Sequence, residues 1–136
     1  MMQLTMPKDI KSIVIASHNE GKVREIRSLL DPYGYKIISA KKLGINEPIE
    51  NGMTFSENSL IKSKNAAKKS GLVALADDSG LCVNSLNYRP GIYSARWAGK
   101  NKDFGMAMKK IQKLMEKNDL LSKYNRRAFF VCSLSV

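Results

Sequence analysis

The sequence predicts an α/β fold built on a mixed, twisted β-sheet flanked by helices. Short apolar runs alternate along the chain with segments of helical period, the pattern of strands and helices laid down in turn. Leu72 to Ala76 is apolar at every position, as in a strand covered on both faces. No internal repeat or low-complexity tract interrupts this alternation. A length of 136 residues fits one domain spanning 1–136. With 43% hydrophobic and 26% charged residues, the chain has the material for a packed core and lacks the signature of disorder.

The elements follow in order. Ile10 to Ser17 holds the apolar cluster Ile13, Val14, Ile15 and Ala16, short enough for a buried strand. From Asn19 onward Val23, Ile26, Leu29 and Leu30 recur at helical spacing until Asp31, Pro32 and Gly34 stop the pattern. Tyr35 to Ala40 returns as a second strand, and Lys41 to Asn51, with Gly44 and Pro48, has no period and reads as a loop. Thr54 with Glu57 three residues later forms a capping box, so a helix is expected from there to about Ser70, ended by Gly71. After the strand Leu72–Ala76, Asp77–Gly80 reads as a turn and Leu81 to Leu86 as a further strand. Phe104, Ala107, Met108, Ile111, Leu114 and Met115 trace one apolar stripe, which makes Asp103 to Lys117 an amphipathic helix with its methionines in the core. Arg126 to Val136 reads as a central strand, and a central strand leaves an edge unless another segment pairs with it, so a following segment is expected.

Several function classes recede at this level. No apolar run approaches the roughly 20 residues that span a bilayer, and Met1 to Ile10 lacks the apolar stretch of a secretion signal, so a cytoplasmic protein is expected. Cys82 and Cys132, each among apolar or small neighbours, make neither a disulfide framework nor a zinc motif and read as reduced core residues. The net charge of +11 favours a polyanionic partner: nucleic acid, nucleotide or anionic surface. The lysines of the 100–117 region read first as a solvated face.

Two constellations carry chemistry. Ser17, Asn19, Lys22 and Glu25 stand where the first strand hands over to the first helix. A helix N-terminus presents unpaired N–H groups and a partial positive charge, so it holds phosphate well. Lys22 adds a full charge, Ser17 and Asn19 add donors, and Gly21 leaves room for close approach. The same residues read equally as a capped helix start, with Asn19 the cap and Lys22 solvated. The Walker pattern is absent. The second constellation is Asp77-Asp78-Ser79-Gly80. Two carboxylates side by side at the end of a buried strand destabilise one another unless a cation compensates, which points to a divalent metal, with magnesium the natural candidate. An acidic turn before a hairpin is the alternative. Glu50 offers another metal ligand and Lys62 a charge for a transferring phosphoryl group, though both types are common on surfaces. His18, the one histidine, lies in the proposed phosphate loop, where it contacts phosphate or simply faces solvent.

Ser17-His18-Asn19-Glu20-Gly21-Lys22, followed by Glu25, resembles the phosphate-binding motif of the inosine/xanthosine triphosphate pyrophosphatases. Gly52-Met53-Thr54-Phe55-Ser56-Glu57-Asn58 is similar to the segment that opens the second helix of that family, Ala76-Asp77-Asp78-Ser79-Gly80-Leu81 to its acidic motif, and Pro90-Gly91-Ile92-Tyr93-Ser94-Ala95-Arg96 to a fourth motif. Four motifs in order across nearly the whole chain make the resemblance specific. It implies hydrolysis of noncanonical purine nucleoside triphosphates to monophosphate and pyrophosphate. Ser17, His18, Asn19, Glu20, Gly21 and Lys22 would bind substrate together with Ser79, and Lys62 would reach the triphosphate from the second helix. Glu50 and Asp78, with Asp77 beside them in the motif, would hold Mg2+, and Asp78 would accept the proton of the attacking water. A homodimer is also implied, with Tyr93 to Trp97 a candidate part of its surface.

Family members continue with Phe-Gly-Tyr-Asp-like and Ser-His-Arg-like segments that read the purine base. Neither occurs in these 136 residues, so the resemblance implies a family-like architecture lacking its C-terminal part and weak or absent hydrolysis by this chain alone. Two rival expectations stand beside the enzyme: an inactive remnant of the family, and a basic nucleic-acid-binding module drawing on Tyr124, Arg126 and Arg127.

Overall fold

The computed structural model describes residues 11–120, 122 and 125–136; the opening segment and Tyr124, weighed above, lie outside the described residues. Among the described residues the sheet has four strands in the order β2-β1-β3-β4. β1 (Ser12–Ile15) pairs in parallel with β2 (Lys36–Ser39), placing Ile13 opposite Ile37, and in parallel with β3 (Val73–Val83), placing Ile13 opposite Val73. β4 (Ala128–Ser135) lies beside β3. The N–H of Asn84, just past the end of β3, donates to the carbonyl of Arg127, just before β4, at 3.0 Å. One strand's end against the other's beginning makes that pair antiparallel, so the sheet is mixed, as expected.

The chain divides into two compact units, Met1–Gly52, Ser56–Asp77 and Leu134–Val136 in the first, Met53–Phe55 and Asp78–Ser133 in the second. In the first unit β1 is buried on both faces, which is why its sequence is continuously apolar rather than alternating. On one face Val14 and Ala16 pack with Ala40, Ile45, Ala66, Ala74 and Ala76. On the other Ile13 and Ile15 meet Val23 and Ile37, with Ile26, Leu30 and Leu75 around them. Each fully buried aliphatic side chain here contributes roughly 1.5–3 kcal/mol.

Helix α1 (Glu20–Leu30) presents Val23, Ile26 and Leu30 to that second face, while Leu29, expected in the same stripe, is exposed. The helix stops in a 3-10 turn, Asp31–Tyr33, where Pro32 occupies a first-turn position and Gly34 takes a left-handed φ of 78°. Helix α2 (Phe55–Ser70) starts immediately after Thr54 and ends at Gly71 (φ 69°), as the capping pattern predicts. It buries Asn58, Ser59, Ser63 and Ala66, small or polar residues rather than large apolar ones. The serine hydroxyls satisfy themselves by donating one turn back, Ser59 to Ser56 and Ser63 to Leu60.

In the second unit Val83, Leu86 and Met115 form a core with Leu81, Ile111, Leu114 and Leu120 around it. Helix α4 (Phe104–Lys117) begins at the cap Asp103, whose side chain accepts from the Met106 N–H. Its stripe is narrower than expected: Ala107 and Met115 are buried, but Phe104 and Met108 are exposed. Helix α3 (Ser94–Trp97) is a single turn. Among the described residues no helix is long and apolar enough to cross a membrane.

Three expectations need correction. Asp77–Gly80 is not a turn: β3 runs unbroken from Val73 to Val83, and Asn84–Leu86, expected to continue a second strand, is a 3-10 turn. The glycine is there for space, since a Cβ on Gly80 would stand 2.3 Å from the Gly91 carbonyl oxygen and 2.7 Å from Ser94 Oγ. The Asn84–Arg127 pairing leaves β4 the outermost of the described strands, and its residues are exposed or half-buried, Phe130 at 82%. Cys132 rides on that strand and is exposed, so only Cys82 of the two free cysteines is a core residue. Burial pushes the Cys82 thiol above its ordinary pKa.

Candidate active site

The junction between β1 and α1 is built by short polar side chains. Asn19 caps α1 in an extended conformation (φ −82°, ψ 105°), and its Oδ1 accepts the Lys22 N–H at 3.1 Å. The Asn19 N–H in turn donates to Ser17 Oγ at 3.1 Å. The capped helix start expected as one of the two readings is therefore present, and a helix start of this kind leaves first-turn N–H groups without intrahelical partners. Gly21 is tight as well, because a Cβ there would stand 3.3 Å from Asn19 Oδ1.

His18 and Glu20 are placed differently from the rest of the expected phosphate loop. His18 Nε2 lies 2.8 Å from the Ile45 carbonyl, and a carbonyl only accepts, so this nitrogen carries the proton and ties the loop to the buried Ile45. The cavity beside it, lined among others by Ala16, Ala40, Ile45 and Lys62, measures only about 10 Å³, space for one water at most and none for a base. The carboxylate of Glu20 faces Lys41 Nζ at 3.4 Å in an exposed pair.

Lys22 joins the two constellations. Its Nζ donates to Asp77 Oδ2 at 2.7 Å, with the aspartate side chain 7% exposed and the lysine 33%. The compensating cation for this carboxylate is thus part of the chain. Successive side chains on a strand point to opposite faces, so Asp77 shares the face of Val73 and Leu75 while Asp78 takes the other. The two carboxylates are 6% and 8% exposed. Their adjacency in sequence does not set them side by side, and the mutual repulsion expected of them is correspondingly weaker. Ser79, next on β3, is exposed.

Glu50 and Lys62 form a third element within the first unit, Nζ to Oε1 3.6 Å. Lys62 is no surface lysine: its side chain is 13% exposed. Among the described residues no group of three His, Cys, Asp or Glu side chains assembles into a cage. A magnesium site needs no such cage, since that ion takes one or two carboxylates and fills its sphere with water and phosphate oxygens. Asn58, 1% exposed and accepting the N–H of Gly52, ended a motif in the sequence but was given no role there. The available signal was the spacing Asn58, Lys62, Asn65, three polar side chains on one helical face.

Known proteins match this chain closely. It is 55% identical over 125 residues to the dITP/XTP pyrophosphatase of Zymomonas mobilis, covering 91% of this chain and 58% of that protein. It is 51% identical over 124 residues to the dITP/XTP pyrophosphatase of Rhodopseudomonas palustris, covering 91% and 59%. The chain therefore spans about three fifths of the length of these curated relatives. Among solved structures, a HAM1 protein from Coxiella burnetii superposes with a TM-score of 0.82 at 39% identity, covering 92% of this chain and 62% of that one. The Staphylococcus aureus Ham1 protein gives 0.74 at 43% identity, with coverage of 92% and 62%. The profile of the Ham1 family matches residues 13–136, nearly everything from β1 onward, and the chain belongs to that family.

Proposed function

We propose that this chain hydrolyses noncanonical purine nucleoside triphosphates, ITP, dITP and XTP, to the nucleoside monophosphate and pyrophosphate, and that it does so in the cytoplasm as a magnesium-dependent homodimer. The observation that supports this most directly is the 2.7 Å pair between Lys22 and Asp77, which ties the capped phosphate loop to the acidic strand. The names of the curated relatives support the substrate class.

In this reading the triphosphate lies against the first turn of α1, bonded by the N–H groups of Glu20 and Gly21 and by Ser17 and Asn19, with His18 bracing the loop from behind. Lys22 and Lys62 neutralise phosphate charge, and Ser79 contributes a hydroxyl to substrate. Asp78 accepts a proton from water; the water oxygen bonds to the α-phosphorus while the bond from that phosphorus to the bridging oxygen breaks, and pyrophosphate leaves with the bridging oxygen. Glu50 and Asp78 would hold magnesium, which supplies charge neutralisation at the phosphates when bound, while Asp77, on the other face of the strand, holds Lys22. The protein's own contribution is position: buried carboxylates at fixed places on a strand, opposite a capped helix end whose donors need no reorganisation.

The test is pyrophosphate release from inosine triphosphate and from ATP, with and without magnesium, for this chain and for Asp78→Asn. The expected outcome is weak, magnesium-dependent release that falls about 100-fold or more in the variant, the range for loss of a general base. A folded sample that releases no pyrophosphate from either nucleotide overturns the reading.

A further inference from the structure

Residues 46–52 form neither helix nor strand, so their path is set by whatever they are tied to. Three side chains of α2 reach them. Asn65 Nδ2 donates to the Asn46 carbonyl at 3.3 Å, Lys62 Nζ stands 3.6 Å from Glu50 Oε1, and Asn58 Oδ1 accepts the Gly52 N–H at 2.8 Å. The helix positions 58, 62 and 65 are spaced by four and three, which places them on one face. Their partners run 52, 50, 46, so the segment passes along the helix in the opposite direction, held at three rungs. The outer rungs grip backbone groups and the middle one is the charge pair.

The rung at Asn58 is the firmest. The side chain is 1% exposed, and its bond to Gly52 is the shorter of the two backbone grips. Glycine is required opposite it: a Cβ on residue 52 would stand 2.6 Å from Asn58 Oδ1 and 2.8 Å from Glu57 Cβ. Gly52 lies two residues from Glu50, so the backbone that carries the carboxylate is pinned within one short step of it.

We propose that Asn58 is a positioning residue for Glu50: its amide clamps the Gly52 N–H, and the clamp sets where the Glu50 carboxylate stands relative to Lys62. The inference rests on the reading of Glu50 as a magnesium ligand, but the clamp itself forms without nucleotide or metal. Misplacing a ligand through its support weakens metal affinity rather than abolishing the chemistry.

Two measurements test this on the full chain. Hydrogen exchange of the Gly52 amide, without metal or nucleotide, is expected to be slow in the wild-type chain and about tenfold or more faster in Asn58→Ala, with the Val14 amide of β1 unchanged as a reference for global folding. Exchange of wild-type Gly52 at the rate of an unprotected amide overturns the clamp and needs no variant to fold. In the second, the magnesium concentration for half-maximal pyrophosphate release rises about tenfold in Asn58→Ala and is restored by Asn58→Asp, which keeps an acceptor for the Gly52 N–H. In a Glu50→Gln background the Asn58→Ala change adds nothing further, because both act through one carboxylate. Fully additive effects overturn the positioning role. A chain that folds but releases no pyrophosphate sinks the proposed reaction and leaves the exchange experiment to decide the clamp alone.

Discussion

The two units handle charge and backbone differently. The first counts twelve Lys and Arg against eight Asp and Glu, and the pairs Lys22–Asp77, Lys62–Glu50 and Lys41–Glu20 all lie within it. The second counts eleven against four. Among the described residues, the non-glycine ones with positive φ, Asn87, Tyr88, Lys102 and Asp119, also fall in the second unit. The first unit is nearer to charge balance and holds three located pairs, an arrangement suited to chemistry by positioning. The second has an irregular backbone and a surplus of positive charge, which suits long-range attraction of an anionic substrate better than its precise placement. Substitutions in each unit should therefore fail in different ways.

The largest effect is expected where the second unit is tightest. Gly80→Ala drives a Cβ against the Gly91 carbonyl oxygen, Ser94 Oγ and Phe55 Cε1, at 2.3, 2.7 and 2.9 Å, and two of these are backbone or ring atoms with little freedom to retreat. A cost of about 3 kcal/mol follows from overpacking of this kind, read as a lowered midpoint in urea unfolding. A variant as stable as the wild type would show that the second unit yields where its geometry says it cannot.

Gly80 also explains where the sequence was misleading. Asp, Asp, Ser and Gly in succession carry turn propensity, and propensity lost to tertiary context: the backbone stays extended because the close approach of residues 91 and 94 needs a residue without a side chain. By contrast β1, α1, β2 and α2 were legible because period, cap and breaker agree at each of them, as with Asn19 before α1 and Gly71 after α2. The exposure of Phe104, Met108 and Cys132 was not legible, since apolar character says what a side chain prefers and not whether a neighbour covers it. The site divides in the same way. Motifs named Lys22 and Asp77, and Glu50 and Lys62 were weighed beside them, but their pairing, Lys22 with Asp77 across 55 residues and Lys62 with Glu50 from helix to loop, is a property of the fold. His18, read as contacting phosphate or facing solvent, is tied through Nε2 to a backbone carbonyl, which neither reading named.

A middle-sized effect is expected at the paired charges of the first unit. Lys22→Ala leaves Asp77, 7% exposed at its side chain, without its cation. Stranding a fully buried charge costs about 3–5 kcal/mol, and the one-third exposure of Lys22 reduces this to about 2 kcal/mol. Adding Asp77→Asn to Lys22→Ala should recover most of the lost stability, because the pair is removed together, while activity stays lost. A double variant no more stable than Lys22→Ala would mean that the pair is not what stabilises this part of the sheet.

The smallest effect separates the units most cleanly. Asn19 caps α1 in the first unit and Asp103 caps α4 in the second, each by a side-chain oxygen accepting the N–H three residues on, at 3.1 and 3.0 Å. Alanine at either position should cost about 1 kcal/mol, the usual value of a lost cap. Equal losses of stability are then expected to carry unequal losses of function, because only the α1 cap also aims donors at the proposed triphosphate. Asn19→Ala should raise the KM for inosine triphosphate, whereas Asp103→Ala should leave it within about twofold of wild type, an energy difference of under 0.5 kcal/mol. Parallel thermal melts and steady-state kinetics on the two variants provide the comparison. Equal kinetic losses would detach the phosphate site from the start of α1, and equal kinetic silence would reduce Asn19 to a cap like any other.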